Sequence, residues 1–297
     1  MISFVGAGPG APDLITLRGA ARLAKAEVVV WAGSLVPEVV LDHCQPGVEL
    51  HDSATMTLED VLDVYAAHYE RTRIVRLHSG DPAVYGAIAE QMDWCLAEGR
   101  SFEIVPGVSS VGAAAAALAR ELTIPGVSQS VVLTRLAGRT AASMPEGEGV
   151  AAFAPHGATM AVFLSAARPD ELAAELLTPG SGYGPDTPAA IVVRASWPDE
   201  RVVRTTVGRL ADDLRATGAT MTALVLVGEA LADRPVLQRS HLYEPGYTTA
   251  YRLRSPDGST RGRPSARRPD SSPHPAAPTL VNDEWAQNPP ESGVWDR

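Results

Sequence analysis

The chain has 297 residues, 45% of them hydrophobic, and a formal net charge of −10. That balance describes a globular chain of about two domains. It argues against a nucleic-acid backbone as the main partner, because phosphate binding needs a basic surface. No apolar run reaches the roughly 18 residues that a membrane span needs. No basic leader or cleavage pattern precedes Ile2-Ser3-Phe4-Val5, so a cytoplasmic protein is expected.

Ile2 to Val5 reads as a first strand running into Gly6-Ala7-Gly8-Pro9-Gly10. This loop approaches the dinucleotide fingerprint G-x-G-x-x-G but misses it. Ala11 stands at the third glycine position, and Pro9 removes a backbone donor where pyrophosphate would sit. Glu27 lies at the right distance for a ribose-binding acid but precedes the second strand, Glu27 to Trp31, instead of ending it. Leu14 to Ala26 carries an amphipathic helical pattern that places Lys25, the chain's only lysine, toward solvent. Schiff-base chemistry and a phosphate-binding lysine of the Walker type are thereby disfavoured.

Thr57-Leu58-Glu59-Asp60 has the form of a capping box with Asp in the acidic position, and predicts a helix to about Arg71. Ile74, Val75 and Leu77 form a strand that ends in Ser79-Gly80-Asp81-Pro82. Apolar residues at helical spacing (Val84, Ile88, Met92, Leu96) predict a helix that stops at Gly99. Phe102 to Val105 is a further strand, closed by Pro106-Gly107, with Ser109 and Ser110 at a helix start. The Ala-rich run Val111 to Ala119 reads as a tightly packed buried helix. Two strands thus deliver glycine-bearing loops to the carboxyl edge of a parallel sheet, where open α/β sheets bind small ligands. Asp81 and the two serines suit a polar, partly cationic ligand and equally suit ordinary capped turns.

From Pro125-Gly126 the pattern changes. Strands are predicted at Val131 to Thr134, Met160 to Leu164, Ala189 to Val193, Val202 to Val207 and Ala223 to Val227, with helices at Pro169 to Leu177 and Leu210 to Ala216. Ala195 to Glu200 reads as a hairpin connection, so this sheet should be mixed. From about Ser255 the chain is rich in Pro, Ser and Arg without periodicity and reads as a disordered tail. The expected organisation is α/β throughout: an N-terminal parallel domain over 1–125, a mixed domain over 126–252 and the tail over 253–297. Cys44 and Cys95 have neither metal nor redox spacing and read as buried thiols; no metal site is expected.

Three stretches in this order and spacing resemble the tetrapyrrole (corrin/porphyrin) methyltransferase family: Gly6-Ala7-Gly8-Pro9-Gly10 with Asp13-Leu14-Ile15-Thr16, His78-Ser79-Gly80-Asp81-Pro82, and Val105-Pro106-Gly107-Val108-Ser109-Ser110. Ala32 to Val36, Thr123-Ile124-Pro125, Thr134 to Thr140, Trp197 to Glu200 and Val203 to Val207 point to a branch that acts on precorrins in cobalamin synthesis. The resemblance covers about Met1 to Arg252. It implies two α/β domains with S-adenosylmethionine in the cleft between them, a precorrin substrate and a homodimer. Carried over residue by residue, the cofactor contacts would be Pro9, Ser79, Gly80, Asp81, Val84, Ser109, Ser110, Leu164, Ala195 and Thr222 or Ala223. Gly8 and Gly10 would face the tetrapyrrole.

A precorrin carries several carboxylates, which arginine forks suit. Arg135 and Arg139, flanking Gly138 in a long loop, and Arg194 at a strand end are the expected anchors. The sulfonium is an activated methyl donor and the accepting carbon is enamine-like, so alignment and exclusion of water carry most of the reaction. No catalytic base is identified; His78, the one histidine beside a motif, reads as packing. A dinucleotide-dependent oxidoreductase and a non-catalytic ligand-binding regulator remain as alternatives. Within the family, so do another ring position and a cobalt-containing substrate.

Overall fold

A computed structural model of the chain describes residues 1–137, 142–233, 240 and 243–248. The chain divides into two units, Met1–Gln238 and Arg239–Arg297. The fold and site below belong to the first. The tail expected over 253–297 and the expected anchor Arg139 lie outside the described residues.

The first sheet has five strands in the order β3-β2-β4-β1-β5: β1 Ile2–Gly6, β2 Val28–Trp31, β3 Glu49–Asp52, β4 Ile74–His78 and β5 Phe102–Val105. Every pairing is parallel, with Ile2 of β1 in register with Ile74 of β4 on one side and Phe102 of β5 on the other. β1, β2 and β4 are almost wholly buried, as a parallel sheet covered on both faces requires. The edge strand β3, Glu-Leu-His-Asp, is mostly exposed and has no apolar alternation by which the sequence could reveal it.

Helices α1 (Leu17–Leu23), α2 (Leu58–Ala67) and α3 (Ala89–Ala97) connect these strands, and α4 (Ser110–Ala117) follows β5. The capping box at Thr57 and Asp60 forms as expected. α1, α2 and α3 are each shorter by several residues than their patterns predict. α1 starts at Leu17 because Thr16 caps it, accepting the Gly19 N–H at 3.1 Å, while Pro12–Leu14 forms a separate 3-10 turn. α2 stops at Ala67, with His68 already extended.

The spacing of Val84, Ile88, Met92 and Leu96 does not mark a helical buried face. Residues 82–88 are turn and loop, with Tyr85 and Ala87 at φ +56° and +50°, and Leu96 is 69% exposed. α3 turns Gln91 and Cys95 inward instead. Gln91 is tolerated there because its amide accepts the Tyr65 hydroxyl at 2.7 Å and donates to Ala87 O at 3.0 Å.

The second sheet runs β6-β7-β10-β8-β9: β6 Val131–Arg135, β7 Thr159–Phe163, β8 Pro188–Val193, β9 Arg201–Thr206 and β10 Ala223–Val227. It is mixed, as expected: β6 and β7 are parallel, and the other pairs are antiparallel. One face packs on α5 (Val150–Phe153), α6 (Pro169–Leu176) and α7 (Leu210–Ala216). The other receives α4, whose Val111, Ala113 and Ala114 join Ala161, Ala190, Val192, Leu224 and Leu226 in one buried cluster. Small side chains on both partners let the helix lie close to the sheet, so α4 seats the first half of the unit on the second. Lys25 is exposed, Cys95 is buried and Cys44 half-buried.

Candidate active site

Because β4, β1 and β5 are neighbours, their three following loops meet at one edge of the first sheet. Gly8 and Gly80 exchange backbone hydrogen bonds, Gly80 N to Gly8 O at 2.8 Å and Gly8 N to Gly80 O at 3.3 Å. The third loop packs tighter still. A Cβ on Gly107 would stand 2.1 Å from Gly80 O, and one on Gly6 would stand 2.5 Å from Gly107 Cα. Gly107 is therefore required by contact between loops, not by the approach of a ligand. Gly80 is required by its φ of +65°. Asp81 joins the set: Oδ2 accepts Gly107 N–H and Oδ1 accepts Ala83 N–H, each at 2.8 Å. Ser109 caps α4, its hydroxyl accepting the Val111 N–H at 3.3 Å.

These hydrogen bonds bear on the dinucleotide reading. The Gly8 amide is spent on Gly80, Pro9 has no amide proton, and a 3-10 turn follows the loop where a Rossmann helix would begin. No nest for pyrophosphate forms there.

The second sheet brings the ends of β7 and β8 and the start of β10 to the same place. The residues at those ends are Leu164, Arg194 and Thr222, with φ of +52°, +51° and +53°. None is glycine, so each backbone is strained, and strain of this kind concentrates at functional sites. Arg194 N–H donates to Thr222 O at 2.8 Å, tying β8 to β10.

Between the two sheets lies a cavity of about 330 Å³, within the range of small-molecule sites. Pro9, Ser79, Gly80, Asp81, Val84, Ser109, Ser110, Leu164, Ala195 and Ala223, all the expected cofactor contacts, line it together with Thr222 and Arg194. The expected substrate residues are placed differently. Gly8 and Gly10 lie in the loop behind Pro9, Gly10 against the Trp197 ring. Arg135 is half-buried at the end of β6, donating to Ala137 O at 3.2 Å and Ser143 Oγ at 3.0 Å, and is not in the cavity wall. The Arg194 guanidinium pairs with Asp199 at 2.6 Å.

The cavity wall also holds His78, read from the sequence as packing, and Arg76, Tyr85 and Phe163, which the motifs did not single out. Arg76, mid-strand in β4, is 9% exposed and donates to Val30 O at 3.3 Å and Ser53 Oγ at 3.0 Å. Among the described residues its Nε has no partner and it forms no ion pair. His78, two residues on and on the same face, packs by Phe4 and leaves Nε2 buried without a partner among the described residues. Burial, aided by the Arg76 charge, lowers its pKa to about 3, so the imidazole is neutral. Tyr85 and Phe163 add an aromatic pair, ring centroids 4.9 Å apart, and burial raises the Tyr85 pKa. The signal for Arg76 was present in the sequence: an arginine inside the buried run Ile-Val-Arg-Leu-His.

The profile of the tetrapyrrole (corrin/porphyrin) methylases matches residues 1–211. A precorrin-4 C(11)-methyltransferase from Rhodococcus erythropolis is 46% identical over 232 residues, 78% of this chain and 92% of that protein. The solved structure of a cobalt precorrin-4 methyltransferase is 45% identical with a TM-score of 0.74, covering 78% of this chain and 95% of that one. A uroporphyrin-III C-methyltransferase from Thermus thermophilus, complexed with S-adenosyl homocysteine, is 31% identical with a TM-score of 0.62, covering 77% of this chain and 98% of that one. The chain belongs to the tetrapyrrole (corrin/porphyrin) methylases.

Proposed function

We propose that this chain transfers the methyl group of S-adenosylmethionine to C11 of precorrin-4, giving precorrin-5 in cobalamin biosynthesis. The observation that carries the reading is the convergence of all the expected cofactor contacts on one cavity between the two sheets. The named precorrin-4 relative supports the choice of position. The chain's own stretches at Ala32 to Val36 and Trp197 to Glu200 point to the same branch. The cavity suits the cofactor: Val84, Leu164 and Phe163 offer apolar surface for an adenine, and Ser79, Ser109, Ser110 and Thr222 offer polar groups beside it.

The cofactor supplies an activated methyl on sulfur. The chain's residues bind and align. The stapled loops at Gly8, Gly80 and Gly107 fix one wall, and the strained ends at Leu164, Arg194 and Thr222 fix the other. Both are set before the ligands arrive, which is what in-line transfer to an enamine-like carbon needs. His78 is too weak a base to take a proton from the product, and its Nε2 is enclosed, so proton loss falls to solvent or to the substrate's own groups. Among the described residues Arg76 is a buried cation without a counter-charge, and a substrate carboxylate completes it. Arg194 and Arg135 remain anchors in this proposal.

Relatives named for both precorrin-4 and its cobalt form favour a second reading, in which the substrate already carries the metal. The proposal includes a homodimer, tested by sedimentation, and a cytoplasmic enzyme; among the described residues no helix is long and apolar enough to cross a membrane. The deciding experiment incubates the protein with precorrin-4, with and without cobalt, and a ¹³C-labelled methyl donor. The new methyl should appear at C11 by NMR. A label at another carbon, or none, overturns the assignment.

A further inference from the structure

The hairpin between β8 and β9 is fastened to the loop after β1, across the cavity from one sheet to the other. The Trp197 indole N–H donates to Pro9 O at 3.0 Å. Ser196 Oγ accepts the Ala11 N–H at 3.0 Å. Gly10 lies so close to the indole that a Cβ there would stand 2.1 Å from the ring. The same ring carries Arg194, whose guanidinium carbon lies 5.2 Å from the ring centroid.

The hairpin is itself firm. Ser196 holds a φ of +67° and donates its N–H to Glu200 Oε2 at 2.6 Å. Trp197 N–H closes a turn on Arg194 O at 2.9 Å, and Glu200 N–H closes the next on Trp197 O at 3.0 Å. One side chain therefore joins a residue of the first sheet's wall, Pro9, to a cation that the second sheet places in the wall, Arg194, and lines the cavity between them.

We propose that Trp197 is a positioning residue with two separable tasks: its indole N–H holds the Pro9 loop at the cofactor, and its ring holds Arg194 toward the substrate. The inference rests on the methyl-transfer reading above. The physical basis for separability is that the N–H bond lies in the ring plane and the cation lies over the ring, so different atoms serve the two ends.

The test uses the full chain and two substitutions. Trp197→Phe keeps an aromatic ring and loses the N–H. It should weaken S-adenosylhomocysteine about three- to tenfold, as loss of one hydrogen bond implies, and leave the precorrin-4 KM within about twofold. Trp197→Leu loses the ring as well; it should weaken S-adenosylhomocysteine to a similar degree and raise the precorrin-4 KM about five- to twentyfold. Affinity is read by calorimetry, and folding is checked by thermal denaturation. Unchanged affinity in Trp197→Phe overturns the inference, and so does a loss of both parameters in that variant. Wild-type protein that binds no S-adenosylhomocysteine sinks the methyl-transfer reading and this inference with it. Wild-type binding with unaltered variants sinks the inference alone.

Discussion

Asp81 and Gly107, on loops that follow two different strands, are joined by a hydrogen bond from the Gly107 amide to Asp81 Oδ2 at 2.8 Å. The second carboxylate oxygen is taken by Ala83 N–H at the same distance. The carboxylate is thus an acceptor for the protein's own backbone while it also lies in the cavity wall. Replacing Asp81 by Ala should lower stability by about 1–3 kcal/mol, because two amides lose a charged acceptor, and should weaken S-adenosylhomocysteine about tenfold. Asp81→Asn, which keeps one acceptor, should fall between. Urea denaturation and calorimetry separate the effects. Lower stability with full affinity would assign Asp81 to the loops alone.

Two glycines should respond with opposite sign. Gly107→Ala drives a methyl into Gly80 O and should cost about 1–3 kcal/mol, as overpacking does. Gly112, in the exposed part of α4, has open space where its Cβ would be; Gly112→Ala should stabilise by about 0.5–1 kcal/mol through helix propensity. Midpoints of urea unfolding for both variants decide the matter, and equal signs would contradict the packing described.

Arg76 yields a kinetic expectation. Arg76→Met removes a buried cation whose acceptors among the described residues, Val30 O and Ser53 Oγ, are neutral. Stability should hold or rise, while the KM for precorrin-4 should rise about tenfold or more and S-adenosylhomocysteine affinity should change by less than about threefold. A drop in stability with normal kinetics would make Arg76 a tie between Val30 and Ser53 and nothing more.

The pKa of His78 sets an acid limit. The folded imidazole stays neutral down to about pH 3, whereas an unfolded histidine takes a proton near pH 6.5. Between those values the unfolded chain binds more protons, so this group's contribution to stability is full above about pH 6.5 and is lost as the pH falls, by roughly 1.4 kcal/mol per pH unit. His78→Leu should flatten the loss between pH 6 and pH 4 by that slope. Urea midpoints across the range test it, and an unchanged slope would place the proton on the folded ring.

Strand positions were legible because each buried strand is a short apolar run between breaker residues, and the three glycine-bearing loops announced where those runs end. What escaped was governed by tertiary contact. The inward turn of Gln91 depends on the Tyr65 hydroxyl, distant in sequence. β3 pairs along an exposed edge and needs no apolar pattern. Arg76 and Tyr85 belong to the site only because the fold brings β4 and the turn after it against the second sheet. The contacts of Arg135 with Ala137 and Ser143 depend on how its loop folds back, which the residue pattern does not carry.

The strand order of the two sheets has a consequence for the order of assembly. β5 completes the first sheet, and it is an edge strand; every earlier strand there already has its neighbour by the time Val105 has been synthesised. In the second sheet β10, the last strand among the described residues, is the central one; β6 with β7 and β8 with β9 form two separate pairs that nothing joins until it arrives. On a ribosome the first half can settle while the second waits with a gap in its middle, its apolar strands open to the wrong partners. Closing that gap also seats Ala223 and Thr222 in the cavity wall, so the nascent chain acquires its ligand-binding pocket only when β10 is threaded into place.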